Sequence, residues 1–185
     1  MNENFLYGEF IDTKVCDEII SFFEKNKNLQ IRNDITNHSQ DSFHKKSSQI
    51  SFSKKDFFNI FPNYSIGLEK VLKEYQKKYL YSSYGQNFYD IKEIIKVQKY
   101  EPNEGFYSWH YENTGYTEFK NRHLVFMTFL NSVKDGGAEF LYQNKIIEAK
   151  KGYTIIWPSQ WTHTHRGQIS KNKKKYVVTG WYNYD

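Results

Sequence analysis

The sequence predicts a mainly β protein of sandwich or barrel type with its helices confined to the N-terminal half. Three observations predict it. Aromatic residues make up 19% of the chain, with 16 Tyr and 15 Phe, and these side chains favour strands and deep pockets over a helical bundle. Eight short apolar-rich segments follow Ile91, each separated from the next by turn-forming residues. Both long segments with apolar residues at helical spacing lie before them. The 185 residues, 38% hydrophobic and 25% charged, are enough for one folded domain with a real core. The expected organisation is a single domain over 1–185, with 1–90 as helical support and 91–185 as the β core.

In chain order, Phe5 to Ile11 reads as a short strand, and Asp12 or Thr13 then caps a helix running to about Asn26. Val15, Ile19, Phe22 and Phe23 form its apolar stripe, and Cys16 beside them reads as a small buried hydrophobe. Residues 27–53 are polar and read as a long loop with some strand, suited to a lid. His38 and His44 within it have no ligand-spaced neighbour and read as surface histidines. Phe57 to Phe61 suggest a short helix that Pro62 ends, and Ser65 to Tyr81 a second amphipathic helix. The expected strands are Ile94–Tyr100, Phe106–Glu112, Arg122–Asn131, Ala138–Tyr142, Lys145–Ala149, Tyr153–Trp157, Trp161–Arg166 and Lys174–Tyr182. Asn113-Thr114-Gly115, Asp135-Gly136-Gly137, Gln143-Asn144, Pro158-Ser159 and Lys171-Asn172-Lys173 punctuate them.

Charge and cysteine usage narrow the functional classes. The net charge is +5, yet only Arg32, Arg122 and Arg166 are arginine. Lysine decorates surfaces, whereas arginine is the fork that reads bases and phosphates, so a nucleic-acid partner is disfavoured. No apolar run approaches the ~20 residues a membrane span needs, so no membrane role is expected. A single cysteine forbids an internal disulfide, and the acidic N-terminus lacks signal-peptide character. The expected location is the reducing cytoplasm.

Chemistry is concentrated in three places. His110 and Glu112, in Trp109-His110-Tyr111-Glu112, are two apart and share a face if that segment is a strand. Trp161-Thr162-His163-Thr164-His165-Arg166-Gly167 offers a third ligand from a distant strand, with His163 and His165 both on one face. Two histidines and one carboxylate on one side of a metal leave open positions that suit Fe(II) chemistry with O₂ and a cosubstrate. Lys175 lies ten residues after His165, where a returning strand can aim it into the same cavity against an anion. Arg166 points the other way, as a rim residue or a substrate contact. His123, Trp109, Tyr107, Tyr111 and Trp161 read as structural or core residues.

From about Tyr100 to Tyr184 the chain resembles the 2-oxoglutarate- and Fe(II)-dependent oxygenases of the prolyl 4-hydroxylase-like branch, in the small form common in marine bacteria and their phages. The block Tyr100-Glu-Pro-Asn-Glu-Gly105-Phe-Tyr107-Ser-Trp-His110-Tyr-Glu112 is similar to that family's Tyr…Gly…Tyr…His-x-Asp block. Leu130-Asn131, Gly136-Gly137-Ala-Glu139-Phe140, Lys151-Gly152…Trp157-Pro158-Ser159 and His165-Arg-Gly167…Lys175-Tyr176 resemble its later motifs in the same order. The resemblance implies a double-stranded β-helix, a jelly-roll of cupin-like type flanked by helices. It implies that His110, Glu112 and His165 hold Fe(II), that Lys175 pairs with the far carboxylate of 2-oxoglutarate, and that Tyr100 adds a hydroxyl hydrogen bond. His165 is preferred over His163 for its spacing to Lys175 and Gly167. The cofactors implied are Fe(II), 2-oxoglutarate and O₂, with ascorbate supportive.

Glu112 departs from the Asp usual in that family and is one methylene longer. The activity implied is hydroxylation of an unactivated C–H bond with release of succinate and CO₂. Its substrate is expected to be a peptidyl proline, or another protein, amino-acid or small-molecule substrate. The competing expectations are a nucleic-acid-acting oxygenase of the same chemistry and a non-catalytic metal-binding cupin-like module.

Overall fold

The computed structural model describes residues 4–37, 42–84 and 88–185, so the expectation for His38 falls outside the described residues. Strand β1 (Tyr7–Phe10) leads into helix α1 (Thr13–Lys25). The Asp12 carboxylate accepts the Lys14 amide at 2.9 Å and satisfies a donor the helix cannot pair itself. Val15, Cys16, Ile19 and Phe23 are the buried stripe, as their spacing predicts.

Residues 27–53 differ from the expected loop. Strands β2 (Ile31–Asn37) and β3 (Ser42–Phe52) pair antiparallel, and β3 in turn pairs with a core strand. Ile50 and Phe52 enter the core from its even face, while Lys45 and Ser47 are buried on the odd face. Two buried polar residues on one face erase the apolar alternation that would have marked a strand. Helix α2 (Lys54–Ile60) is capped by the Ser53 hydroxyl and stops just before Pro62, as expected, while helix α3 (Pro62–Lys78) starts at Pro62, three residues earlier than its apolar stripe suggests. Proline fits there because the first helical residue needs no amide donor.

The remaining strands are β4 (Tyr89–Asp90), β5 (Ile95–Tyr100), β6 (Arg122–Phe129), β7 (Val133–Phe140), β8 (Lys145–Ala149), β9 (Tyr153–Pro158), β10 (His165–Gly167) and β11 (Lys175–Tyr184). They form a large sheet in the order β1-β9-β6-β11-β5-β3-β2, with β4 also on β11, and a smaller sheet in the order β10-β7-β8. Four strands of the large sheet, β1 to β4, therefore come from the half expected to be helical support. Asp135-Gly136-Gly137 lies inside β7, where the register slips between Val133 and Ala138, rather than in a turn before it. At the turn into β9, Gly152 sits at φ +81°, and a side chain there would meet the Ile11 carbonyl at 2.9 Å.

Two apolar clusters follow from this layering. One joins α1, α2 and α3 to one face of the large sheet, through Phe23, Phe57, Tyr64, Leu68, Tyr75, Ile95 and Phe126. The other lies between the two sheets, through Phe129, Phe140, Ile155, Trp157, Val177 and Trp181. The large sheet is thus covered by helices on one face and faces the small sheet on the other. That is a jelly-roll, and the mouth between its sheets is where the ionisable residues collect. Among the described residues no helix is long and apolar enough to cross a membrane.

Candidate active site

The segment Phe106–Glu112 is not the strand its sequence suggests. It is a loop pinned at single points: Lys45 and Phe106 form one isolated antiparallel bridge, His110 and His165 another. His110 and His165 exchange both backbone hydrogen bonds, at 2.9 and 2.8 Å, which sets the two rings side by side. The Glu112 and Asn113 amides both donate to the Ser159 carbonyl at 3.0 Å, which fixes the third residue. Irregular backbone thus achieves the juxtaposition expected from a strand.

The candidate metal-ligating atoms of His110, Glu112 and His165 all lie within 4.8 Å of one another. Each imidazole Nδ1 sits against a backbone carbonyl, Ser108 O at 3.0 Å for His110 and His163 O at 2.9 Å for His165. A carbonyl only accepts, so both Nδ1 atoms carry the proton and both Nε2 lone pairs are free to ligate. Those two Nε2 atoms are each 3.6 Å from Glu112 Oε1. The other carboxylate oxygen, Oε2, accepts from Arg122 Nη1 at 3.2 Å and from Trp181 Nε1 at 3.0 Å. One oxygen of Glu112 is therefore held by protein donors, and the other faces the histidines. This clamp accommodates the extra methylene of Glu relative to Asp. Two imidazole nitrogens and one carboxylate oxygen are a donor set that fits ferrous iron.

Packing makes the rings rigid. Phe106 stacks on the His110 ring at 3.4 Å and 8°. Phe140 and Trp157 flank His165 at 5.4 and 5.1 Å. Burial works against the Glu112 charge, but the adjacent His110 and His165 rings outweigh it and hold the carboxyl well below its ordinary value. Burial, then the neighbouring His165, pushes His110 down toward the neutral form that a ligand requires.

Behind the triad a cavity of about 240 Å³ opens between the sheets. Lys175 and Tyr100 are cross-strand partners at its end, with the ammonium 5.0 Å from the phenol ring centre. Lys175 is 5% exposed, and its Nζ donates to the Gln168 carbonyl at 3.0 Å. Burial lowers its pKa to about 8. Burial also keeps the Tyr100 phenol protonated, so it remains a donor.

The two histidines left open by the sequence now separate. His163 lies in a short 3₁₀ turn, where Nε2 donates to the Asn4 carbonyl at 3.0 Å and Nδ1 meets the Thr162 hydroxyl. It ties down the N-terminal segment and is not in the triad. His123 bonds the Ser82 carbonyl and the Tyr184 hydroxyl, a structural role. His44 is not simply a surface residue, for its ring packs 4.8 Å from Phe106. Arg166 pairs with Glu139 at 2.8 Å and covers the Trp109 ring while lining the cavity. Trp109, Tyr111 and Trp161 are 38, 37 and 59% exposed, so they are rim residues and not core. Residues that the sequence reading missed are the Glu112 clamp, Arg122 and Trp181, and two further cavity cations, Lys45 and Lys96. Trp181 was findable, since it lies six residues along the Lys175 strand and so on the same face.

The family model described as the 2OG-Fe(II) oxygenase superfamily matches residues 95–183. This β-rich segment belongs to the 2OG-Fe(II) oxygenase superfamily. The oxygenase is accordingly a 2-oxoglutarate-dependent dioxygenase that works with Fe(II), 2-oxoglutarate and O₂. No curated protein matches the sequence. Among solved structures, the viral collagen prolyl hydroxylase of Paramecium Bursaria Chlorella virus-1, in its 2OG complex, aligns at TM-score 0.69 and 18% identity, covering 96% of this chain and 95% of its own. A Pseudomonas putida prolyl-4-hydroxylase aligns at 0.69 and 11%, covering 97 and 92%. A Trichoplax adhaerens prolyl hydroxylase, in complex with a hypoxia inducible factor oxygen degradation domain peptide fragment, aligns at 0.71 and 13%, covering 98 and 84%. At these identities the likeness shows a shared jelly-roll fold, with the prolyl hydroxylases as structural neighbours.

Proposed function

We propose that the oxygenase hydroxylates an unactivated C–H bond of a peptidyl proline or another protein or amino-acid substrate, releasing succinate and CO₂. His110, Glu112 and His165 would hold Fe(II), and Lys175 and Tyr100 would hold the far carboxylate of 2-oxoglutarate. The observation that carries the reading is that three mutually close ligating atoms and a buried ammonium line one cavity. The prolyl substrate is supported by the neighbouring folds, which belong to prolyl hydroxylases. The whole of 1–185 would act as one domain, with the N-terminal helices and the β2–β3 hairpin as support and substrate cover. We place it in the cytoplasm on its single buried thiol and lysine-rich surface.

When bound, the iron and its cosubstrate supply the oxidising chemistry, and the protein supplies ligands, orientation and exclusion of water. His110 and His165 present neutral Nε2 atoms because their Nδ1 protons are committed to backbone carbonyls. Arg122 and Trp181 hold Glu112 Oε2 so that Oε1 keeps its aim. Lys175 orients the cosubstrate by pairing with its far carboxylate, and Val177, Phe129 and Trp157 keep that part of the cavity dry. The test is succinate formation from 2-oxoglutarate with Fe(II) and ascorbate. His110→Ala and His165→Ala should abolish it, and a wild-type protein that forms no succinate would refute the proposal.

A further inference from the structure

The cavity contains more positive charge than the proposed chemistry uses. Arg122 is paired with Glu93, and Arg166 with Glu139. A divalent metal on Glu112 and the ammonium of Lys175 are together balanced by dianionic 2-oxoglutarate. Lys45 and Lys96 remain. Lys45 comes from β3 and Lys96 from β5, and both line the cavity. Neither ammonium has an ion-pair or hydrogen-bond partner among the described residues. Each instead lies over an aromatic ring: Lys45 at 5.6 Å from the Phe106 centre, Lys96 at 4.9 Å from that of Trp181. Both of those rings also touch the triad, Phe106 on His110 and Trp181 on Glu112.

Lys45 is only 6% exposed. A buried cation without a partner is costly, and a fold retains one where a ligand completes it. Ser47, two residues along β3, adds a second incomplete group, since its buried hydroxyl has no hydrogen-bond partner among the described residues. Each ammonium is thus one ring away from a triad residue, Lys45 through Phe106 and Lys96 through Trp181. An anion completing Lys45 must bring a carboxylate inside the cavity, which a small free acid does and an extended neutral peptide, having none, does not.

We propose that Lys45 and Lys96 form a second anion site, separate from Lys175, that receives the carboxylate of a free amino acid and so holds its side chain toward the metal. The proposal rests on the oxygenase reading and narrows its substrate class. An acidic side chain on a peptide would offer the same carboxylate from another source.

The test loads the full-length protein with Mn(II) and 2-oxoglutarate and measures thermal shifts with each of the twenty free amino acids and with their amides. A parallel arm uses proline-rich peptides with blocked termini, with and without Glu or Asp. Fe(II) reactions on the same panel are read by product mass. At least one free amino acid should raise the melting temperature and gain one oxygen atom, while its amide does neither. Lys45→Met and, independently, Lys96→Met should weaken that binding by roughly tenfold or more, and Lys45→Arg should restore most of it. The KM for 2-oxoglutarate should change far less than that for the amino acid. The proposal is overturned if no free amino acid binds, if amides or blocked peptides do as well, or if Lys45→Met abolishes the shift due to 2-oxoglutarate. Failure of the oxygenase reading is distinguishable, because 2-oxoglutarate itself would then give no shift and no succinate.

Discussion

Lys175→Met should make the ligand-free protein more stable while removing most of its affinity for 2-oxoglutarate. The wild-type ammonium is 5% exposed, and burial lowers its pKa from 10.5 to about 8. That depression corresponds to roughly 3 kcal/mol of penalty for holding the charge at pH 7. Methionine has similar length and no charge, so it removes the penalty. It also orphans the Gln168 carbonyl, now an acceptor at 3.0 Å, at a cost of roughly 1 kcal/mol. The net gain is about 2 kcal/mol, or roughly 4–8 °C in a chain of this size. The folded pKa lies below the unfolded one, so the penalty is complete below pH 8 and fades as pH rises toward 10.5. By pH 9.5 the wild type should recover roughly 2 kcal/mol and the advantage of the variant should nearly vanish. With 2-oxoglutarate the order reverses. Truncating one partner of a buried charge pair should raise KM by roughly 30-fold to several thousandfold. Thermal melts at both pH values, with and without Mn(II) and 2-oxoglutarate, measure all of this. A variant that melts lower at pH 7 and keeps its full 2-oxoglutarate shift would refute the reasoning.

Two other substitutions test the metal end. Trp181→Phe keeps an aromatic ring but removes the 3.0 Å donor to Glu112 Oε2, and Mn(II) affinity in an equilibrium titration should fall by roughly 10- to 100-fold. Glu112→Asp shortens the side chain so that it no longer reaches both the Arg122–Trp181 clamp and the histidines, and succinate formation at saturating 2-oxoglutarate should drop by roughly tenfold or more. An aspartate variant as active as the wild type would show that the clamp does not set the carboxylate.

Much of the site was legible because its spacing is short-range. His110 and Glu112 sit two apart, and the ten-residue interval from His165 to Lys175 spans one turn between strands. The helices were legible because each buries one apolar stripe, and β8 was legible to the residue because turns bound it. What failed depends on distant partners. Phe106–Glu112 looks like a strand by composition, but among the described residues its β-bridges are isolated ones to Lys45 and His165, which no local pattern encodes. The β2–β3 hairpin looked like a loop because Lys45 and Ser47 replace apolar residues on one buried face of β3. The same substitution hid Lys45, whereas Lys96 lies on β5, a segment read as a strand from its apolar residues. His165 was preferred over His163 by its spacing to Lys175 and Gly167 alone, because a straight strand puts both on one face; a 3₁₀ turn at Trp161–His163 instead rotates one ring to Asn4 and leaves the other at the triad.

The central claim is that His110, Glu112 and His165 together hold one ferrous ion to which 2-oxoglutarate binds. It is tested most directly by anaerobic titration of Fe(II) and 2-oxoglutarate, followed by the visible metal-to-ligand charge-transfer absorption. The wild type and His163→Ala should develop this absorption at one iron per chain, and His110→Ala, Glu112→Ala and His165→Ala should not. Absorption that survives His165→Ala, or that disappears in His163→Ala while the fold is intact, would contradict the account.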